Sequence, residues 1–308
     1  MKTEEFNTIS PRLEGIDIAK GITIVLMVLG HTTIPRSLSN FIFAFHMPFF
    51  FLVSGFTTNW EKYTITSLIK HRARTLLLPF VIYSAIVIAL MELTDLGSWQ
   101  GLLRKGWEGY SLWFILVLFL STLLVEMIRY IPKIVCQWFV VFALATTGVI
   151  LSYFHLQLPW TISTVPFATV LIFIGSQTSR SLLNQLSTCW MFLFTFLLTC
   201  SVSYKWRLDM AWNNITPIVP LIIGALAGSL FILQLSRHIQ KTSILSKIFV
   251  AIGRETYLLV AFSQITIMVL IKYTSLSAPI RYFLMVIALI VLKIMKDKLN
   301  RVLKFKLL

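Results

Sequence analysis

The sequence predicts an all-α integral membrane protein, a bundle of about ten transmembrane helices with both termini in the cytoplasm. Three observations carry that expectation. Hydrophobic residues make up 57% of the 308 positions and charged residues 13%, with a mean hydropathy of +0.83, outside the range of soluble globular chains. Apolar runs long enough to cross a bilayer recur along the whole chain. The 27 Lys and Arg residues gather in short segments between those runs, as membrane topology requires.

The runs fall near 16–34, 38–58, 75–93, 111–128, 134–154, 161–177, 187–204, 215–235, 249–271 and 279–295. The first holds Asp17, Lys20 and His31, and ionisable groups within a span are functional candidates by default. The second is interrupted by Asn40, His46, Pro48, Ser54 and Gly55; Pro48 lacks a backbone donor and is a place where the helix can kink. The sixth is short and contains Pro166. With the N-terminus inside, 20 basic residues fall on the inner side and 7 on the outer. That bias supports N-in, C-in and an even number of spans.

The chain reads as one transmembrane domain, 1–308. Segment 1–15 lacks the basic region, apolar core and cleavage site of a signal peptide and is expected to stay in the cytoplasm. The outer loops near 94–110 and 205–214 are too short to fold alone. From Lys293 onward basic and apolar residues alternate, and the basic tail 296–308 is expected to lie along the anionic inner leaflet. The net charge of +15 arises from scattered short segments, which argues against nucleic acid as a partner. The lipid bilayer is the partner that composition demands; nothing sets an oligomeric state. Cys189 and Cys200 share a predicted helix about 16 Å apart along its axis, too far for a disulfide. No Cys/His spacing suggests a metal site.

Lys20 and His31 are eleven positions apart, almost three helical turns, and so share a face roughly 16 Å apart along the axis. Asp17 lies within pairing reach of Lys20 at i and i+3; the plainer alternative is an interfacial ion pair with Lys20 snorkelling to headgroups. His31 sits toward the outer end, where Gly30-His31-Thr32-Thr33 equally suits a membrane boundary. His46 follows a short outer loop and is expected at similar depth, so both histidines can face one polar cavity. Histidine, with an unperturbed pKa near 6.5, suits general acid–base work there. A metal is not expected, because no third ligand has sensible spacing. The cluster Lys70-His71-Arg72-Ala73-Arg74 is either a topology signal or an anchor for an anionic cytosolic ligand, since guanidinium forks match phosphate geometry. Arg254 and Glu255 are a structural pair or part of that anchor. Trp113, opening the fourth span, fits an aromatic belt.

Taken together these residues resemble the acyltransferase 3 family of bacterial integral-membrane acyltransferases, which includes sugar O-acetyltransferases. Lys20 and His31 match its basic residue, ten-residue gap and histidine. Phe45-His46-Met47-Pro48-Phe49-Phe50-Phe51-Leu52-Val53-Ser54-Gly55-Phe56 matches its second-helix signature. Arg72 to Phe80 resembles its basic opening of helix three, Leu112-Trp113-Phe114-Ile115 its fourth-helix motif, and Ile252 to Tyr257 the start of a late helix. Two departures stand out. Arg72 and Arg74 are two apart where the family pair is three apart, and Ser263-Gln264 stands where a late-helix histidine is common.

The resemblance implies transfer of an acyl group, usually acetyl, from acetyl-CoA as co-substrate to a hydroxyl of a cell-envelope or secreted polysaccharide at the bacterial inner membrane. On that reading Lys20, Arg72 and Arg74 hold the donor phosphates, His31 and His46 are catalytic, and Asp17, Ser54 and Trp113 line the substrate cavity. The extracytoplasmic esterase-like domain fused in some relatives is not expected here. The rival reading is a transporter or flippase that uses Lys20, His31 and His46 as a proton relay.

Overall fold

The computed structural model describes residues 11–100, 110–185 and 188–302. The expected N-terminal segment up to residue 10, the outer-loop residues Arg104 and Lys105, and the tail from 303 lie outside the described residues. Among the described residues every regular element is helical, and the only extended pairing is an isolated bridge between Asp209 and Asn214.

The helices are α1 (Pro11–Gly30), α2 (Arg36–Thr57), α3 (Ile65–Leu93), α4 (Trp113–Arg129), α5 (Ile134–Tyr153), α6 (Val165–Gln177) and the short α7 (Arg180–Gln185). They continue with α8 (Cys189–Lys205), α9 (Ile218–Ile239), α10 (Ser243–Arg254), α11 (Thr256–Tyr273) and α12 (Ala278–Val302). A 3-10 turn, Pro159–Thr164, leads into α6. Seven helical segments are long and apolar enough to cross a membrane, so this is a multi-pass membrane protein. The other three expected spans are helical but less typical. α1 carries Glu14, Asp17 and Lys20, and α4 and α8 have 17 residues each.

The hub is α2. Its residues Phe45 to Val53 are all buried, including His46 and Pro48, as befits a helix apolar on every side. It stays helical through Pro48 and packs against α1, α6, α8 and α9. The α2–α6 crossing is tight: a Cβ on Gly55 would strike the Ile172 carbonyl, and one on Gly175 the Leu52 carbonyl. Small residues let helices approach this closely in lipid, where packing rather than hydrophobicity drives association. A second such crossing joins α1 and α10, where Gly21 abuts the Phe249 carbonyl and Gly253 the Asp17 carbonyl.

Three expected boundaries change. The third span begins at Ile65 rather than 75, so the Lys70–Arg74 cluster is helix, not loop. Thr64 caps that helix, exchanging side-chain and backbone hydrogen bonds with Ser67, a capping box. Residues Ala73–Leu77 form a π turn just before Pro79, a proline that can neither donate to the ladder nor fit its α-helical register without adjustment. The ninth expected span is two helices, α10 and α11, broken at Glu255, with the Thr256 hydroxyl donating back to the Gly253 carbonyl at 2.6 Å. Finally, residues 296–302, expected at the start of a tail, continue α12 without a break.

Candidate active site

Two cavities with ionisable side chains in their walls lie near opposite ends of α1. The larger, about 780 Å³, is lined by Asp17 and Lys20 of α1, Ser54 of α2, Arg72 of α3, and Arg254 and Glu255 at the α10–α11 break. Lys296 of α12 reaches the same wall. Charges here are interlocked. Asp17 lies 3.6 Å from the Lys20 ammonium and 3.5 Å from the Arg254 guanidinium. Glu255 pairs with Lys296 and, at 4.0 Å, with Lys293. The Arg72 Nη2 donates to the Thr58 hydroxyl at 2.5 Å, whereas its Nε is buried without a hydrogen-bond partner. A buried, unsatisfied donor on a cation is costly unless something accepts from it.

The structure separates the two arginines of the α3 cluster. Arg72, Leu76, Pro79 and Tyr83 recur on the face of α3 turned to the cavity. Arg74 is exposed and falls outside that lining, because two residues of helix rotate a side chain about half a turn. Its neighbour Thr75 lies on the lining.

The smaller cavity, about 170 Å³, is lined by His31, His46, Trp113, Asp209, Trp212 and Gln264, among others. His31 sits in the turn that closes α1 and is exposed at the cavity rim, while His46 is buried on α2. Their rings stand edge to face with centroids 6.1 Å apart. His31 Nδ1 lies 2.8 Å from the Met27 carbonyl and His46 Nδ1 3.0 Å from the Ile42 carbonyl. A carbonyl oxygen can only accept, so in each neutral ring Nδ1 carries the proton and Nε2 keeps the lone pair. Each helix thus sets the tautomer of its own histidine. Trp113 is buried against this cavity, not placed in a belt at the lipid boundary.

The roof of the histidine cavity is the segment between α8 and α9, which sequence reasoning counted only as a short loop. Asp209 and Asn214 exchange backbone hydrogen bonds at 3.1 and 2.8 Å, and the Thr164 hydroxyl donates to the Met210 carbonyl at 2.6 Å. Arg207 fastens the roof to α2: its Nη1 donates to Ser39 and Asn40 at 3.1 Å each. Its guanidinium lies 3.8 Å over the Phe43 ring. Asp209 is 3.8 Å from Arg207. Burial pushes the Asp209 carboxyl above the usual carboxylate range, opposed by Arg207, then His31, then the N–H groups of Trp212 and Ala211. On the α11 side, Gln264 accepts from the Ser111 backbone N–H at 2.8 Å.

The two cavities abut. Val260 borders both, and two neighbouring pairs divide between them: Trp113 faces the histidine side and Phe114 the cationic side, as do Met47 and Phe50. Among the described residues, no group of three or more His, Cys, Asp or Glu is placed to hold a metal ion.

Such a bundle, enclosing ionisable side chains in cavities near both ends of α1, is that of a multi-pass membrane protein with a polar interior. Residues 13–295 match the acyltransferase 3 family, described as an acyltransferase domain, and the chain belongs to that family. It is a membrane acyltransferase. No curated protein and no solved structure matches the chain.

Proposed function

We propose that the protein transfers an acetyl group from acetyl-CoA to a hydroxyl of a cell-envelope or secreted polysaccharide, in a bacterial cytoplasmic membrane with both termini and the cationic cavity on the cytosolic side. The observation that carries this reading is the pairing of Arg72, a cation that lines one cavity with Lys20, with a tautomer-defined imidazole in the neighbouring one. The remaining expectations, ten spans and N-in/C-in orientation, belong to the same proposal and rest on the distribution of Lys and Arg.

Lys20 and Arg72 bind the donor's phosphates, with Arg254 and Lys296 adding positive charge at the mouth. Arginine suits this because its fork matches two phosphate oxygens at once. Asp17 and Glu255 keep the cations soluble in the bundle until an anion displaces them, and Ser54 offers a hydrogen bond along the wall. The acyl carbon then reaches the Val260 barrier from the cationic side. His31 Nε2 removes the proton from the acceptor hydroxyl as its oxygen bonds to the acyl carbon. The C–S bond breaks, the thiolate leaves, and the imidazolium returns its proton to that sulfur. His46 orients the acceptor or the His31 ring through their edge-to-face contact. Trp113 supplies an apolar face for the sugar.

Purified protein in lipid vesicles, given acetyl-labelled acetyl-CoA and an envelope polysaccharide extract, tests the proposal. Label on the polysaccharide is the expected result. Passage of glycan across the vesicle membrane with no label attached would overturn it in favour of a transporter.

A further inference from the structure

The roof of the histidine cavity carries a charge that the proposed mechanism leaves unused. Asp209 lines the same cavity as His31 and His46, and His31 is among the groups that act on its carboxyl electrostatically. Its place is built, not incidental. The residue lies in a backbone bridge with Asn214, next to a 3-10 turn, Met210–Trp212, that the Thr164 hydroxyl holds from the other side. Arg207, two residues earlier, is locked by Ser39, Asn40 and the face of Phe43. The Phe43 ring in turn contacts both imidazoles, at 5.6 Å from His31 and 4.7 Å from His46. One cation therefore seats the roof on α2, beside the histidines, and the carboxylate hangs opposite them.

We propose that Asp209 is a positioning residue for the transfer step, its carboxylate favouring the imidazolium that His31 becomes on taking the acceptor proton. This rests on His31 being the base. Among the described residues, the titratable groups that line the cavity are His31, His46 and Asp209, so Asp209 is the carboxylate placed there to balance a new positive charge. Arg207 has a separate task. It is spent on Ser39, Asn40 and Phe43 and holds the roof, with its carboxylate, at the cavity that His31 and His46 line, where a charge fixed in place acts on the imidazolium as it forms. A preorganised charge of this kind lowers the barrier without binding substrate more tightly.

The test is a comparison of three variants in the vesicle assay. Asp209→Asn keeps the side-chain oxygen that accepts from the roof N–H groups and removes only the charge. It should lower kcat about 10- to 100-fold with the donor KM unchanged. Asp209→Glu should recover part of that loss, a rescue that a purely structural role does not predict. His31→Ala reports on the underlying reading. If His31→Ala is inactive and Asp209→Asn is as fast as the wild type, the inference fails alone. If His31→Ala remains active, both fail. Should Asp209→Asn not reach the membrane, Asp209→Ser takes its place: reduced kcat with wild-type KM supports the proposal, and unchanged kcat overturns it.

Discussion

The two cavities treat charge in opposite ways. In the larger, Lys20, Arg254 and Lys296 each face a carboxylate, Asp17 or Glu255, and Arg72 leans on a hydroxyl. The smaller holds two imidazoles and one carboxylate, and each imidazole is tied to its own backbone by a single hydrogen bond. Exchangeable ion pairs suit a site that must admit and release a highly charged molecule, because a phosphate can take a carboxylate's place at little net electrostatic cost. Fixed tautomers suit a site that moves a proton, because misplacement there costs rate directly. On the proposed function, binding and chemistry are divided along the length of α1, and each variant below should disturb one without the other.

The largest effect is expected at the barrier. Val260→Phe enlarges a side chain that borders both cavities; transfer should fall by at least about 100-fold while labelled donor still binds, as equilibrium dialysis would record. Next comes the donor site. Arg72→Gln should raise the donor KM about 10- to 100-fold and leave kcat within a few-fold, whereas Arg74→Gln, off the cavity, should change the donor KM by less than about twofold. A third, smaller effect is ionic. Moving from 0.05 to 0.5 M salt should raise the donor KM by roughly several-fold, with kcat steady, since only the phosphate contacts are screened. The smallest is on stability. Gly253→Ala forces a methyl onto the Asp17 carbonyl and should cost about 1–3 kcal/mol, visible as a lowered melting temperature in detergent.

What could be read from the chain follows the same division. Lys20, His31 and the run from Phe45 to Phe56 were legible because local spacing on two consecutive helices carries their geometry. The helical start of α3 was hidden by its polar residues Lys70 to Arg74, although Thr64 and Ser67 mark a cap. The break at Glu255 had no proline or glycine at the break itself to announce it. Lys296 was assigned to a tail, yet Lys293 at the end of the last apolar run is followed at helical spacing by Lys296 and Asn300, which is the signal that α12 continues. Arg207 and Asp209 could not be found this way. The partners of Arg207, Ser39 and Asn40, lie more than 160 residues earlier, and a charge in a short loop has no periodicity to betray its role.

Donor binding by His31→Ala, measured beside its transfer rate, tests the division most directly. The variant should hold labelled acetyl-CoA with wild-type affinity and transfer nothing to polysaccharide. A variant that loses the donor, or that still acetylates at near-normal rate, would contradict the separation of a cationic binding cavity from an imidazole that does the chemistry.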